Sequence, residues 1–242
     1  MCSVSIIRPT ANAVRVAMNR DELDERPASR PPVSQRIGNQ THLRTVDAQA
    51  GGAWIGANDA GLIVCLLNRT VTGDMMPLSP NRRSRGDVVP HMLMAQQLDT
   101  IHVFLAELPL TELAPFTLVA VDLTALRVFA WNGRHLHEVP GSPVQCSSGV
   151  GDERVAPVRL AAWHACTETG VSPNTQDAWH DSQIGTDSAA WVRMIRSGAH
   201  TVSRTVIEVN AEQVHLAETR FDAVGNSRDY HRCSCPRIRA VA

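Results

Sequence analysis

The alternation of apolar and polar positions begins almost at the first residue of this chain. Ser3 to Arg8 is short, apolar and β-branched, and Ala13 to Met18 alternates, so the two read as a hairpin around Arg8-Pro9-Thr10-Ala11-Asn12. A chain that puts its terminus into a sheet ties down what is ordinarily loose, and this invites a functional explanation. Arg26 to Asp47 is rich in Pro, Arg, Ser and Gln and reads as a long surface loop with at most one short strand. Gly51 to Gly56 leads into a strand, and Asn58-Asp59-Ala60-Gly61 has turn chemistry. Leu62 to Leu67 is a continuous apolar run suited to a strand buried on both faces. A loop from Asn68 to Arg83 carries Met75-Met76, which reads either as a pocket mouth or as ordinary loop surface. Ser84 reads as the N-cap of a helix to about Leu98, with Val88, Val89, Met92 and Leu93 on a helical period.

Phe116 to Asp122 and Leu126 to Trp131 form a second hairpin pattern, with His135 to Val139 as a third strand. Helices are predicted over Glu153–Thr169, Asn174–Asp181 and Ala189–Arg196, and a closing hairpin over Thr201–Val209 and Gln213–Thr219. Hairpins in two batches, each followed by helices, predict an α+β fold of two antiparallel sheets between helical layers. Residues 2–221 read as a single domain. Residues 222–242 are polar and arginine-rich and read as a loose or packed-over tail.

Composition narrows the function classes. The chain has 242 residues, 43% hydrophobic, with a formal net charge of -1, which suits a globular protein and gives no nucleic-acid footprint. No run approaches a membrane span and the first residues lack a secretory pattern, so a cytoplasmic setting is expected. Six scattered cysteines fit a reducing compartment. Lysine is absent, so the terminal amine is the chain's sole primary amine.

That amine matters because Cys follows Met1. Removal of Met1 would give Cys2 both a thiol and a free α-amine, of ordinary pKa roughly 7.7–8.0. The amine could take the thiol proton and later return it to a leaving group. A turn near Thr10 brings residues 19–21 back beside Cys2, where Asp21 could orient the amine and Arg20 supply positive potential. Elsewhere, His231-Arg232-Cys233-Ser234-Cys235-Pro236 lacks the paired spacing of a zinc site and reads as thiols on an unstructured tail. The histidines stand at no metal-ligand spacing, no metal site is predicted, and no nucleophile-elbow pattern appears. Trp54 and Trp163 read as core residues.

The segments MCSVSIIRP, MNRDE at Met18–Glu22, GGAWIGAN at Gly51–Asn58, GLIVCLLNR at Gly61–Arg69 and SRG at Ser84–Gly86 together resemble the NRDE family. Its eukaryotic members are called transport and Golgi organization protein 2 homologues. That family in turn resembles N-terminal-nucleophile hydrolases with a terminal Cys, such as bile salt hydrolases and penicillin V acylases. The resemblance implies an αββα sandwich and hydrolysis of a linear N-acyl amide, a small-molecule substrate, without a cofactor. It implies Cys2 as nucleophile, Asp21 as the group holding the amine, and Asn68 as an oxyanion donor. Asn19 and Arg20 stand in the reverse order to the acylase motif. Where the acylases carry a second oxyanion Asn, this chain has Cys146-Ser147-Ser148-Gly149, leaving Ser147, Ser148 or a backbone N–H to serve. Arg154 and Arg204 are the candidates for a later active-site arginine. The family's links to haem handling and lipid metabolism also imply an alternative, a non-catalytic carrier of haem or an acyl ligand in the same cleft.

Overall fold

The computed structural model describes residues 2–71 and 83–238; Met1 and the Met75-Met76 pair lie outside the described residues. Strands β1 (Cys2–Thr10) and β2 (Ala13–Leu23) form the first hairpin, followed by β3 (Arg30–Ile37), β4 (Gln40–Val46), β5 (Ile55–Asn58) and β6 (Ile63–Asn68). Helices α1 (Val88–Met92) and α2 (Ile101–Ala106) precede β7 (Phe116–Val121), β8 (Leu126–Trp131), β9 (Leu136–Val139) and β10 (Val144–Ser147). Helices α3 (Asp152–Cys166) and α4 (Pro173–His180) lead to β11 (Ile195–Arg196), β12 (Ala199–Val209), β13 (Gln213–Phe221) and β14 (Ser227–Pro236). One sheet runs β10-β1-β2-β12-β13-β14, with β11 alongside β12. The other runs β3 to β9 in chain order, and both sheets are antiparallel throughout.

Period-two alternation sorts the side chains into layers. Cys2, Val4, Ile6, Val16 and Met18 face the second sheet, where Leu43, Ile55, Cys65 and Val119 meet them in the central core. On the outer face of the second sheet, Val64, Leu66 and Phe116 pack under Met92, Leu93 and Ile101. On the outer face of the first, Ile7 packs with Trp163 of α3 and Trp179 of α4. The expected αββα sandwich is therefore the architecture of the chain. Among the described residues no helix is long and apolar enough to cross a membrane.

Four local expectations are corrected. The loop expected over Arg26–Asp47 is the hairpin β3–β4, turning at Gly38 with φ 59°. Its Pro31 and Pro32 are tolerated because β3 is an edge strand. The helix expected to reach Leu98 ends at Met92. Ser84 does cap, accepting the Gly86 N–H, but the Asn58 amide donates to the Leu93 and Ala95 carbonyls at 2.9 and 2.7 Å and turns the chain away. The helix expected over Ala189–Arg196 is a turn followed by β11, because the Ala189 and Ala190 carbonyls accept from the guanidinium of Arg159 instead of from helical N–H groups. The expected tail forms edge strand β14, paired with β13. Its Cys235 is buried in the central core and Cys233 packs against it, so these thiols belong to no loose segment.

The outer face of the first sheet also carries buried polar groups. Gln176 donates to Ser5 Oγ at 2.8 Å, and Ser5 Oγ shares a 2.7 Å hydrogen bond with His180 Nε2. Burial pushes the His180 pKa well below its ordinary 6.5, and the nearby guanidinium charges of Arg204 and Arg15 push the same way. The folded protein thus holds His180 neutral, whereas the unfolded chain takes up a proton below pH 6.5. Stability is full above that pH and falls as the pH drops below it, by up to about 1.4 kcal/mol per pH unit for this one proton. Urea unfolding between about pH 7 and about pH 5 is expected to show a steeper loss for the wild type than for His180→Gln. Equal slopes would contradict the assignment.

Candidate active site

Strand β1 is an interior strand, and its first residue pairs on both sides: Cys2 stands opposite Ser147 of β10 and opposite Arg20 of β2. The Cys2 N–H donates to Ser147 Oγ at 3.1 Å. The Cys2 side chain, itself buried, lies at a cavity of about 270 Å3 whose lining also includes Arg20, Asp21, Glu22, Asp47, Trp54 and Asn68. Because β1 and β2 run antiparallel, Asp21 is the next residue beyond the Cys2–Arg20 pair on the side of the Cys2 nitrogen.

Asp21 is held from the helical side of the sheet. Thr201 Oγ1 donates to its Oδ1 at 2.6 Å, and the guanidinium of Arg159 lies 3.7 Å from its Oδ2. Arg159 is fully buried on the stripe of α3 that also carries Val155, Ala162 and Trp163, and it donates to Ser3 Oγ at 2.8 Å. Burial raises the Asp21 pKa, opposed by the charges of Arg159 and the terminal amine and by the Thr201 hydrogen bond. Burial likewise raises the Cys2 thiol, against the positive charges of the terminal amine and Arg20. A thiol held in this way is protonated at neutral pH and needs a base close by.

On the cavity side the charges are paired. Arg20 and Arg26 converge on Asp47 Oδ2 at 3.2 and 2.9 Å and on Glu22 Oε2 at 3.1 and 3.6 Å. The Arg20 guanidinium also lies over the Trp54 ring, 4.6 Å from its centre. Burial pushes the Asp47 carboxyl upward, but the Ala50 N–H and the Arg26 guanidinium outweigh it and hold the group below the usual carboxylate range. The cavity wall is completed by backbone contact between two motifs. Ala53 N–H donates to the Gly86 carbonyl at 2.9 Å, and a Cβ on Gly52 would fall 2.4 Å from Gly86 Cα.

Of the residues predicted from the sequence, Cys2, Arg20, Asp21 and Asn68 meet at this cavity, and Ser147 holds the Cys2 nitrogen. The others lie elsewhere. Asn19 faces the helical layer, where its amide donates to the His180 and Val192 carbonyls. Ser148 shapes the turn into α3, with its N–H on Asp152 and its Oγ accepting from Val150. Arg154 makes an exposed pair with Asp187, and Arg204 pairs with Asp181 beside α4. Sequence reading missed Asp47, Thr201 and Arg159. Arg159 alone left a signal, a cation on the buried i, i+4 stripe of a helix.

The family model described as Transport and Golgi organisation 2 matches residues 1–231. No curated protein matches the chain in sequence. Among solved structures, the chain is similar to penicillin V acylase from Agrobacterium tumefaciens, at 15% identity and TM-score 0.56, covering 89% of this chain and 82% of that one. It is also similar to a variant of conjugated bile acid hydrolase from Clostridium perfringens, at 11% identity and TM-score 0.52, covering 100% and 99%. A third is the Caenorhabditis elegans ortholog of N-acylethanolamine-hydrolyzing acid amidase, at 10% identity and TM-score 0.50, covering 86% and 92%. At these identities the likeness is one of fold.

The glycine contact that walls the cavity gives a direct test. Gly52→Ala would drive a methyl group into the Gly86 backbone and is expected to cost about 1–3 kcal/mol, read as a lower urea midpoint. An unchanged midpoint would contradict the close approach.

Proposed function

We propose that this chain, which belongs to the Transport and Golgi organisation 2 family, is an N-terminal-cysteine amidohydrolase that cleaves a small linear N-acyl amide through a thioester on Cys2. The observation that carries the reading is the register of β1. It sets a buried thiol at a charged cavity with its own nitrogen held by Ser147 and the Asp21 carboxyl on the nitrogen's side.

In this reading Met1 is removed and the Cys2 nitrogen becomes a free amine. The amine takes the thiol proton, Sγ attacks the amide carbonyl, and the tetrahedral oxyanion accepts from the Asn68 amide. The ammonium then protonates the leaving amine as the C–N bond breaks. Water, activated by the same amine, attacks the thioester, releases the acid and restores the thiol. Ser147 and Asp21 fix the amine, and Thr201 and Arg159 fix Asp21. Because burial raises the Cys2 pKa, no standing thiolate is available, and the adjacent base does the work that a lowered pKa does elsewhere. Arg20, committed to Asp47, Glu22 and Trp54, acts as scaffold and as positive potential near the thiol.

Turnover of a panel of N-acyl amides tests the reading. Cys2→Ala is expected to abolish release of free amine, and Asn68→Ala to lower kcat about 100- to 1000-fold. Arg154→Ala, on its exposed pair, is expected to leave turnover unchanged. Hydrolysis that survives Cys2→Ala would overturn the mechanism.

A further inference from the structure

Resting on that reading, the cavity and its neighbour narrow the substrate. A second compartment, of about 210 Å3, adjoins the Cys2 cavity and shares Arg83 and Ser84 with it. Its walls include the apolar Val88, Leu108, Pro109 and Leu113, with Asp87, His91 and Glu107 also on the lining. Two of the cavity's arginines, Arg20 and Arg26, are occupied by the two carboxylates Asp47 and Glu22, so this group of four charges is internally neutral. Arg83 differs. Its backbone N–H is fixed to the Glu112 carbonyl at 3.0 Å, while its side chain is 55% exposed and reaches Asp87 only at 4.0 Å, the limit of ion pairing. A half-exposed guanidinium with so long a contact can turn toward an incoming anion at little cost, and its planar fork suits a carboxylate.

We propose that the substrate is an N-acylated amino acid with an apolar side chain. The acyl carbonyl lies at Cys2, the carboxylate is read by Arg83, and the apolar side chain enters the compartment beside Val88 and Leu108. Hydrolysis then yields the free amino acid and the acyl group's acid, with water as the co-reactant.

Equilibrium titration of the Cys2→Ala protein reads this without turnover. The probes are N-acetyl-leucine, N-acetyl-leucinamide, which lacks the carboxylate, and N-acetylglycine, which lacks the apolar group. N-acetyl-leucine is expected to bind about 10- to 100-fold tighter than the leucinamide, from one charge-assisted pair, and tighter than N-acetylglycine. Adding Arg83→Gln is expected to erase the acid-over-amide difference, and Arg83→Lys to restore part of it. Equal binding of acid and amide, a difference that survives Arg83→Gln, or no saturable binding of any probe overturns the proposal. Retained acid preference without turnover in the wild type would sink the amidohydrolase reading alone. Turnover of neutral amides with no acid preference would sink this inference alone.

Discussion

The structure depends on the insertion of the first strand into the middle of a sheet. Strand β1 has β10 on one edge and β2 on the other, so over Cys2–Ser5 it is paired from both sides, up to its first residue. A terminal segment would ordinarily fray. Here the entropy of ordering it is offset by burial of Val4 and Ile6 between the sheets and Ile7 under the helices. The result is a residue next to the terminus whose position is set by sheet register. A one-residue slip would move Cys2 to the helical face and Ser3 to the cavity.

The same alternation divides the charges of the MNRDE segment between two compartments. Arg20 projects toward the cavity and its partners Asp47, Glu22 and Trp54, whereas Asn19 and Asp21 project toward the helical layer and its partners. Asp21 therefore acts from beneath the sheet, supported by a fully buried arginine and a threonine hydroxyl. A buried ion pair of this kind is a poor source of net stability, because desolvation offsets its attraction. Its place beneath Cys2 suits a role in holding charge at a set position. The remaining motifs serve as masonry. Asn58 ends the first helix of the outer layer, and Gly52 and Gly86 let two loops touch to close the cavity wall.

Much of this was legible in the sequence, for identifiable reasons. The β1–β2 hairpin followed from alternation and a turn, which brought residues 19–21 back beside Cys2, and the structure sets Arg20 opposite it. The order of hairpins and helices was enough for the layered class. Segments whose structure depends on distant partners were not legible. The proline-bearing β3 lacks an apolar face and is a strand because β4 lies beside it. β14 is polar on one side and is held by β13, and the turn over 189–194 follows from a guanidinium thirty residues earlier in the chain. For the site, adjacency to Cys2 along the first hairpin was readable. Asp47 and Thr201 arrive from other elements and have no local signature, and Arg159 left only its place on the buried stripe of α3. Arg154 and Arg204 were candidates for the later active-site arginine that the resemblance implies, yet both pair with carboxylates away from the cavity.

The central claim is that Cys2 is a terminal residue whose own amine serves its thiol. Intact mass, with an amine-directed tag and a thiol-directed acylating probe followed by peptide mapping, tests it most directly. With no lysine in the chain, the tag reports the terminus alone. The account predicts loss of Met1, the tag on the Cys2 nitrogen, and acylation of the Cys2 thiol in preference to Cys65, Cys146, Cys166, Cys233 and Cys235. A retained Met1, or a processed Cys2 that the probe leaves untouched, would contradict it.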